Sequence, residues 1–204
     1  KIESNKLALS YEKFDLQETV HSIYNLIEPQ AKEKGVSFEI ITNDVNQECL
    51  VGDQLRVNQV FINVISNAVK FTPKGGKVTM RLSEKQTSPE HVHLRCIISD
   101  NGIGMSPEFA QKIFEPFERE RTSTVSRIQG TGLGMAITRN IVEMMGGTIK
   151  VQTEKNRGTE FIICLPLRVQ TGTRREEKIA ELAGLKALVV DDDFNTCDSV
   201  AKLL

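Results

Sequence analysis

Apolar residues recur along this chain with two different periods. From Leu16 to Lys34 they fall at Leu16, Val20, Ile23, Leu26, Ile27 and Ala31, the spacing that buries one face of a helix, and Gly35 follows as a stop. A second helical stretch starts after Asp53, a suitable N-cap, and runs to about Phe71 before Thr72-Pro73 and Gly75-Gly76 break it. A third begins beyond Gly132-Leu133-Gly134 and ends before Gly146-Gly147, and a short helix is expected near 107–114. Runs of strand length occupy 7–14, 36–42, 49–51, 77–84, 92–99, 148–154 and 159–167. Polar turns at Ser88-Pro89-Glu90 and from Lys155 to Gly158 join consecutive strands.

Strands and helices mix without a regular βαβ alternation. The order predicts an α+β fold, a two-layer α/β sandwich with helices on one face of a mixed β-sheet. Residues 118–130 are charged, rich in Ser and Thr and aperiodic, so they are expected as a loop. Residues 168–184 are charged and read as a linker, after which Ala187 to Val190 forms a new strand running into Asp191-Asp192-Asp193. No internal repeat is evident.

Composition narrows the function classes. The 204 residues carry 26 Lys+Arg against 27 Asp+Glu, a balance that gives no support to a nucleic-acid or membrane-surface binder. No apolar run approaches the roughly 18–20 residues that span a bilayer, and Lys1 to Lys6 has no apolar stretch behind its charges, as a signal peptide would. Cys49, Cys96, Cys164 and Cys197 form no short-spaced pair. Cys96 and Cys164 sit in apolar strands and are expected as reduced core thiols, so a cytoplasmic chain is expected.

Three segments carry candidate chemistry. On the helix 54–71, Arg56, Gln59, Asn63, Asn67 and Lys70 form a polar stripe opposite the apolar face of Val60, Phe61, Val64, Ile65 and Ala68. A stripe of this kind is ordinarily a solvated face. Two carboxamides four residues apart followed by Lys suit a different task, in which neutral oxygens meet a hard cation and an ammonium meets a phosphate. Asp100-Asn101-Gly102-Ile103-Gly104-Met105 follows an apolar strand. It reads either as a simple turn or as a carboxylate placed to accept from an exocyclic amine, with glycines that let backbone approach a flat ring. Gly130-Thr131-Gly132-Leu133-Gly134-Met135-Ala136 opens a helix, and N–H groups at a helix start favour phosphate oxygens. It matches neither the P-loop nor the dinucleotide fingerprint. Between the glycine clusters lie Phe114-Glu115-Pro116-Phe117 and the polar loop, a sequence suited to a ligand-gated lid; one of the two Phe side chains is expected in the core.

In order, these blocks resemble the N, G1, F and G2 boxes of the ATPase superfamily shared by DNA gyrase B, Hsp90, MutL and sensor histidine kinases, with Gly158-Thr159-Glu160-Phe161 similar to its closing Gly-Thr block. The resemblance spans about 14–167 and implies a Bergerat-type ATP-binding fold. It implies that Asp100 binds the adenine amine, that Asn63 and Asn67 hold Mg²⁺, and that Lys70 and the 130–135 backbone contact phosphates. The ATP site it implies comprises Asn63, Asn67, Lys70, Phe71, Asp100, Gly102, Ile103, Gly104, Met105, Phe114, Phe117, Arg127, Gly130, Thr131, Gly132, Leu133, Gly134, Met135 and Thr159. Asn63 stands where gyrase-like relatives carry a water-activating Glu, and an amide cannot serve as a general base. Asn63, Asn67 and Lys70-Phe71-Thr72 are similar to sensor kinases specifically, which implies ATP presented to a histidine acceptor with little hydrolysis.

His21, His91 and His93 are followed by Ser22, Val92 and Leu94, not by the acidic residue expected after that acceptor. Residues 1–13 resemble the end of a dimerisation and phosphoacceptor hairpin with the strand that follows it, implying acceptor helices upstream of Lys1. Residues 185–204 resemble the truncated start of a receiver domain, against the plain reading of an acidic loop after a strand. Together these imply a hybrid kinase in a two-component phosphorelay, homodimeric as a whole although this fragment alone is expected as a monomer. The acceptor helices and a receiver or response regulator are the implied partners. The rival readings are a self-sufficient ATPase clamp and a nucleotide-sensing module without phosphotransfer.

Overall fold

The computed structural model of the chain describes residues 9–42, 45, 49–118 and 131–169. Seven strands and four helices follow in the order β1 (Glu12–Asp15), α1 (Leu16–Lys34), β2 (Ser37–Thr42), β3 (Cys49–Gly52), α2 (Gln54–Phe71), β4 (Lys77–Ser88), β5 (His91–Asp100), α3 (Pro107–Ala110), α4 (Gly134–Met144), β6 (Thr148–Glu154) and β7 (Gly158–Val169). The strands form one mixed sheet in the order β1-β3-β7-β5-β4-β2, with β6 also on β7. Only the β2–β4 pair is parallel among the described strands.

Helix starts follow their caps. Asp15 accepts from the N–H groups of Gln17 and Glu18 at 2.7 and 3.0 Å, and Gly35 closes α1 in the left-handed region at φ 71°. Asp53 is buried and accepts from Arg56 N–H at 3.0 Å and Ser10 N–H at 3.0 Å, tying the start of α2 to the segment before β1. Pro29 lies inside α1 on its exposed side, where water can serve the carbonyl that loses its partner.

The core lies between the helices and one face of the sheet. From α2 it takes Val57, Val60, Phe61, Val64 and Ile65, from β5 Val92, Leu94, Cys96 and Ile98, and from β7 Phe161, Ile163, Leu165 and Leu167. The alternate residues His91, His93 and Arg95 of β5 are exposed on the opposite face. The two-layer expectation holds.

Several local expectations are corrected. Of the strand expected at 7–14, residues 9–11 lie outside β1, which runs from Glu12 to Asp15, where Asp15 turns to cap α1; residues 7 and 8 lie outside the described residues. The short helix stops at Ala110. On α1, Leu26 is 48% exposed and Thr19 takes its place in the buried face, its hydroxyl satisfied by Asp15 O at 2.7 Å. Cys96 is buried as expected, but Cys164 is half-buried. It sits opposite exposed Arg95, one step out of phase with Ile163 and Leu165. β7 runs to Val169, two residues into the expected linker, since Leu50 and Val51 of β3 pair with Val169 and Arg168. The rest of that linker, the hairpin exit at 1–8 and the receiver-like segment lie outside the described residues. No described helix is long and apolar enough to cross a membrane.

Phe61 is fully buried where α2 meets the sheet. Phe61→Ala should lower stability by about 3–5 kcal/mol in denaturant titration. Leu55→Ala, on the same helix but at a residue 70% exposed, should change it by no more than about 0.5 kcal/mol. Equal effects at the two positions would contradict this placement of the core.

Candidate functional site

A cavity of about 240 Å³ opens where the polar side of α2, the start of α4, the loop after β5 and the start of β7 converge. Both expected glycine clusters and the α2 stripe from Asn63 to Lys70 contribute to its walls. That stripe is no solvated face: Asn63, Asn67 and Lys70 are all partly buried against the cavity.

Asp100 ends β5 and looks into this space. Burial pushes its carboxyl pKa up, opposed by hydrogen bonds from the backbone N–H groups of Gly102 and Thr159. The Gly102 bond measures 2.8 Å. The loop is pinned from both sides. Ile103 N–H donates to Phe71 O at 3.3 Å, Lys77 N–H donates to Asn101 Oδ1 at 2.7 Å, and Asn156 N–H donates to Ile103 O at 2.8 Å. Two glycines make the approach possible. A Cβ on Gly104 would lie 2.0 Å from Glu154 O, one on Gly158 would lie 1.9 Å from Asp100 O, and both residues have positive φ.

Across the cavity, α4 orients the carboxamides. Asn63 Nδ2 donates to Thr138 Oγ1 at 2.5 Å, and Asn67 Nδ2 donates to the Met135 sulfur at 3.3 Å. Gly134 packs so closely that a Cβ there would meet Asn63 Oδ1 at 2.8 Å. Helix α4 has Leu133 at its cap position and no side-chain cap, which leaves its first N–H groups without a capping side chain. At the far end of α2, Lys34 of α1 donates to Val69 O at 2.8 Å and also to Lys70 O. Burial and the neighbouring Lys70 charge lower the Lys34 pKa.

Among the expected site residues, Asn63, Asn67, Lys70, Phe71, Asp100, Ile103, Gly104, Met105, Thr131, Gly132, Gly134, Met135 and Thr159 line the cavity. Gly102, Phe114, Phe117 and Leu133 lie outside the lining. Gly102 is buried beneath Phe71 O, and Leu133 serves as the cap position of α4. Phe114 is the core-packed member of its pair, edge-on to Phe161 at 6.4 Å and under the Arg139 guanidinium at 5.6 Å. Phe117 is 73% exposed and held at φ 65° with its N–H on Gly132 O at 3.0 Å. Arg127, Gly130 and all of the expected lid from Glu118 to Gln129 except Glu118 itself lie outside the described residues.

Sequence reasoning missed Ala68, Phe109, Ile113, Glu118 and Phe161 of the lining. Phe161 was within reach, because strand alternation puts it on the face of Thr159. The supports Thr138, Thr153 and Lys34 carried no local signal. His21, His91 and His93 are exposed, and the described residues contain no cluster of three His, Cys, Asp or Glu side chains fit for a metal.

Residues 52–169 match the family described as histidine kinase-, DNA gyrase B-, and HSP90-like ATPase. The autoinducer 2 sensor kinase/phosphatase LuxQ of Vibrio vulnificus is 38% identical over 203 residues, covering 95% of this chain and 23% of that protein. The chain therefore spans about a quarter of the length of that relative. The catalytic domain of the histidine kinase ThkA superposes with a TM-score of 0.64 at 30% identity, covering 77% of this chain and 95% of that one. Full-length ShkA, solved in complex with AMPPNP, gives a TM-score of 0.68 at 28% identity over 81% of this chain and 33% of that one. With its match spanning both glycine clusters and the α2 stripe, the chain belongs to the histidine kinase-, DNA gyrase B- and HSP90-like ATPase family, and its relatives there are sensor histidine kinases.

Proposed function

We propose that this domain binds Mg-ATP in the cavity and presents the γ-phosphate to a histidine on a helical hairpin of the same sensor kinase. The observation that carries the reading is the convergence in one cavity of a half-dry carboxylate, an uncapped helix start and paired carboxamides. Asp100 accepts the adenine amine, with Ile103, Met105, Met135 and Phe161 as the apolar walls of the ring site. The first N–H groups of α4 and the Lys70 ammonium take the phosphates. Relatives named as sensor kinases, and a structural neighbour solved with an ATP analogue, support it.

The residues present fit Mg²⁺. Each carboxamide spends its donor nitrogen on α4, which leaves a neutral oxygen as the group for a cation. Mg²⁺ is ordinarily held by a few protein oxygens together with substrate phosphates, which agrees with the lack of an acidic cage among the described residues. When bound, the ion supplies positive charge against the phosphate oxygens. Asn63 cannot remove a proton from water, so the domain orients ATP for another acceptor and hydrolyses it slowly.

The LuxQ alignment covers 95% of the chain and so extends beyond Val169. Over that stretch the proposal extends to 170–184 as a linker and 185–204 as the start of a receiver, hence to a hybrid kinase acting with a receiver or response regulator. The test of the whole reading is phosphotransfer: the domain supplied with the acceptor hairpin and ATP should label a histidine. Binding of ATP without any labelling would leave a nucleotide-sensing module instead.

Asp100→Asn should weaken ATP binding about ten- to a hundredfold in calorimetric titration, since a charged hydrogen bond contributes roughly 1.5–3 kcal/mol. The amine needs the ionised carboxylate and burial raises the Asp100 pKa. Affinity should therefore persist above that pKa, fall as pH drops through it, and lose this acid limb in Asp100→Asn. Unchanged ATP affinity in the variant would remove Asp100 from the site.

Asn67→Ala should weaken nucleotide binding mainly when Mg²⁺ is present, because the oxygen it removes serves the ion. An equal loss in EDTA would assign Asn67 a role other than metal binding.

A further inference from the structure

The hydroxyl of Thr153, on β6 outside the cavity lining, has three partners. It accepts from Met105 N–H at 3.0 Å, donates to Gly158 O at 2.9 Å and lies 3.1 Å from Thr159 Oγ1. A threonine hydroxyl has one proton and two lone pairs. The Gly158 carbonyl can only accept, so the Thr153 proton is committed to it. One lone pair takes Met105 N–H. The remaining lone pair faces Thr159, so the bond between the two hydroxyls has one direction, with Thr159 donating.

Thr159 is buried and lines the cavity, its backbone N–H bonded to Asp100. With its own proton spent on Thr153, its hydroxyl offers only lone pairs to a ligand. Asp100, ionised, also offers only lone pairs. The corner they form accepts hydrogens and donates none. An exocyclic amine on a purine satisfies such a corner, whereas a ring carbonyl meets lone pairs with lone pairs.

We propose that Thr153 is a positioning residue for base specificity: by fixing the proton of Thr159 it makes the Asp100–Thr159 corner select 6-amino over 6-oxo purine nucleotides. The proposal rests on the nucleotide-binding reading above and adds a residue that never touches the ligand. Removing the Thr153 hydroxyl frees the Thr159 proton to rotate toward the cavity and donate to a ring carbonyl.

The experiment is calorimetric titration with ATP and inosine triphosphate, which differ at C6 and in the N1 proton. Thr153→Val should narrow the preference for ATP by about tenfold, the scale of one hydrogen bond gained or lost, while Thr153→Ser keeps the wild-type ratio. General loosening of the loop would weaken both nucleotides alike and leave the ratio unchanged, which would overturn the proposal. So would a serine variant behaving like valine. In a Thr159→Val background the Thr153 effect should vanish, and its persistence there would show that it does not run through Thr159. If Thr153→Val does not fold, Thr153→Ala removes the same hydroxyl without adding bulk. Failure of the wild-type domain to bind ATP would sink the nucleotide reading itself, a different result from binding with an unaltered ratio.

Discussion

The backbones of Asp100 and Gly158 come so close that no side chain fits between them: a Cβ on Gly158 would sit 1.9 Å from the Asp100 carbonyl oxygen. The site's geometry depends on this contact. It lets β7 begin directly beside the end of β5, with Asp100 opposite Thr159 in register. That register places the Thr159 N–H on the Asp100 carboxylate. Gly104 repeats the device one loop further on, against Glu154 O. A larger residue at either position would have to displace backbone rather than a side chain, and the whole loop 100–105 would move with it.

The second constraint is electrostatic. A carboxylate this deeply placed is costly to keep charged, and burial pushes its pKa up. Two backbone N–H groups hold the charge in place. They are more useful there than a Lys or Arg, because a full counter-charge would satisfy the carboxylate and compete with any ligand amine. On the opposite side of the cavity α2 presents carboxamides rather than carboxylates, so that Asn63 and Asn67 add no negative charge to the lining.

How much of this was legible in the sequence depended on whether the information was local. α1 and α2 end where glycine, proline and cap residues end them, and the periods were long enough to identify their faces. The β4–β5 and β6–β7 hairpins were likewise written in alternating runs and turn residues. The pairing of β3 with the last two residues of β7 was not, because it joins segments more than a hundred positions apart and Arg168 and Val169 look like the start of a charged stretch. Cys164 was misplaced because an apolar run does not reveal which of its residues face the helices. Within the site, residues belonging to recognisable blocks were found, and their supports were not. Thr138, Thr153 and Lys34 each reach a partner far away in the chain, and nothing in their immediate neighbours distinguishes them from ordinary polar residues.

Lys34 shows what such a support contributes. Its ammonium sits on the last carbonyls of α2, where the helix dipole favours a cation, yet Lys70 places a second positive charge nearby. The arrangement is unfavourable between the two lysines and favourable between each of them and the helix end. A phosphate at Lys70, as proposed above, would relieve the repulsion without disturbing the cap. The end of α1 is further stitched to the loop after α2 by Gly75 N–H on Gly35 O at 2.7 Å and Ser37 N–H on Gly76 O at 2.9 Å. Phe71, between these contacts and the loop after β5, accepts from Ile103 N–H through its carbonyl. The last turn of α1, no residue of which lines the cavity, is therefore tied through the end of α2 to the loop that follows Asp100.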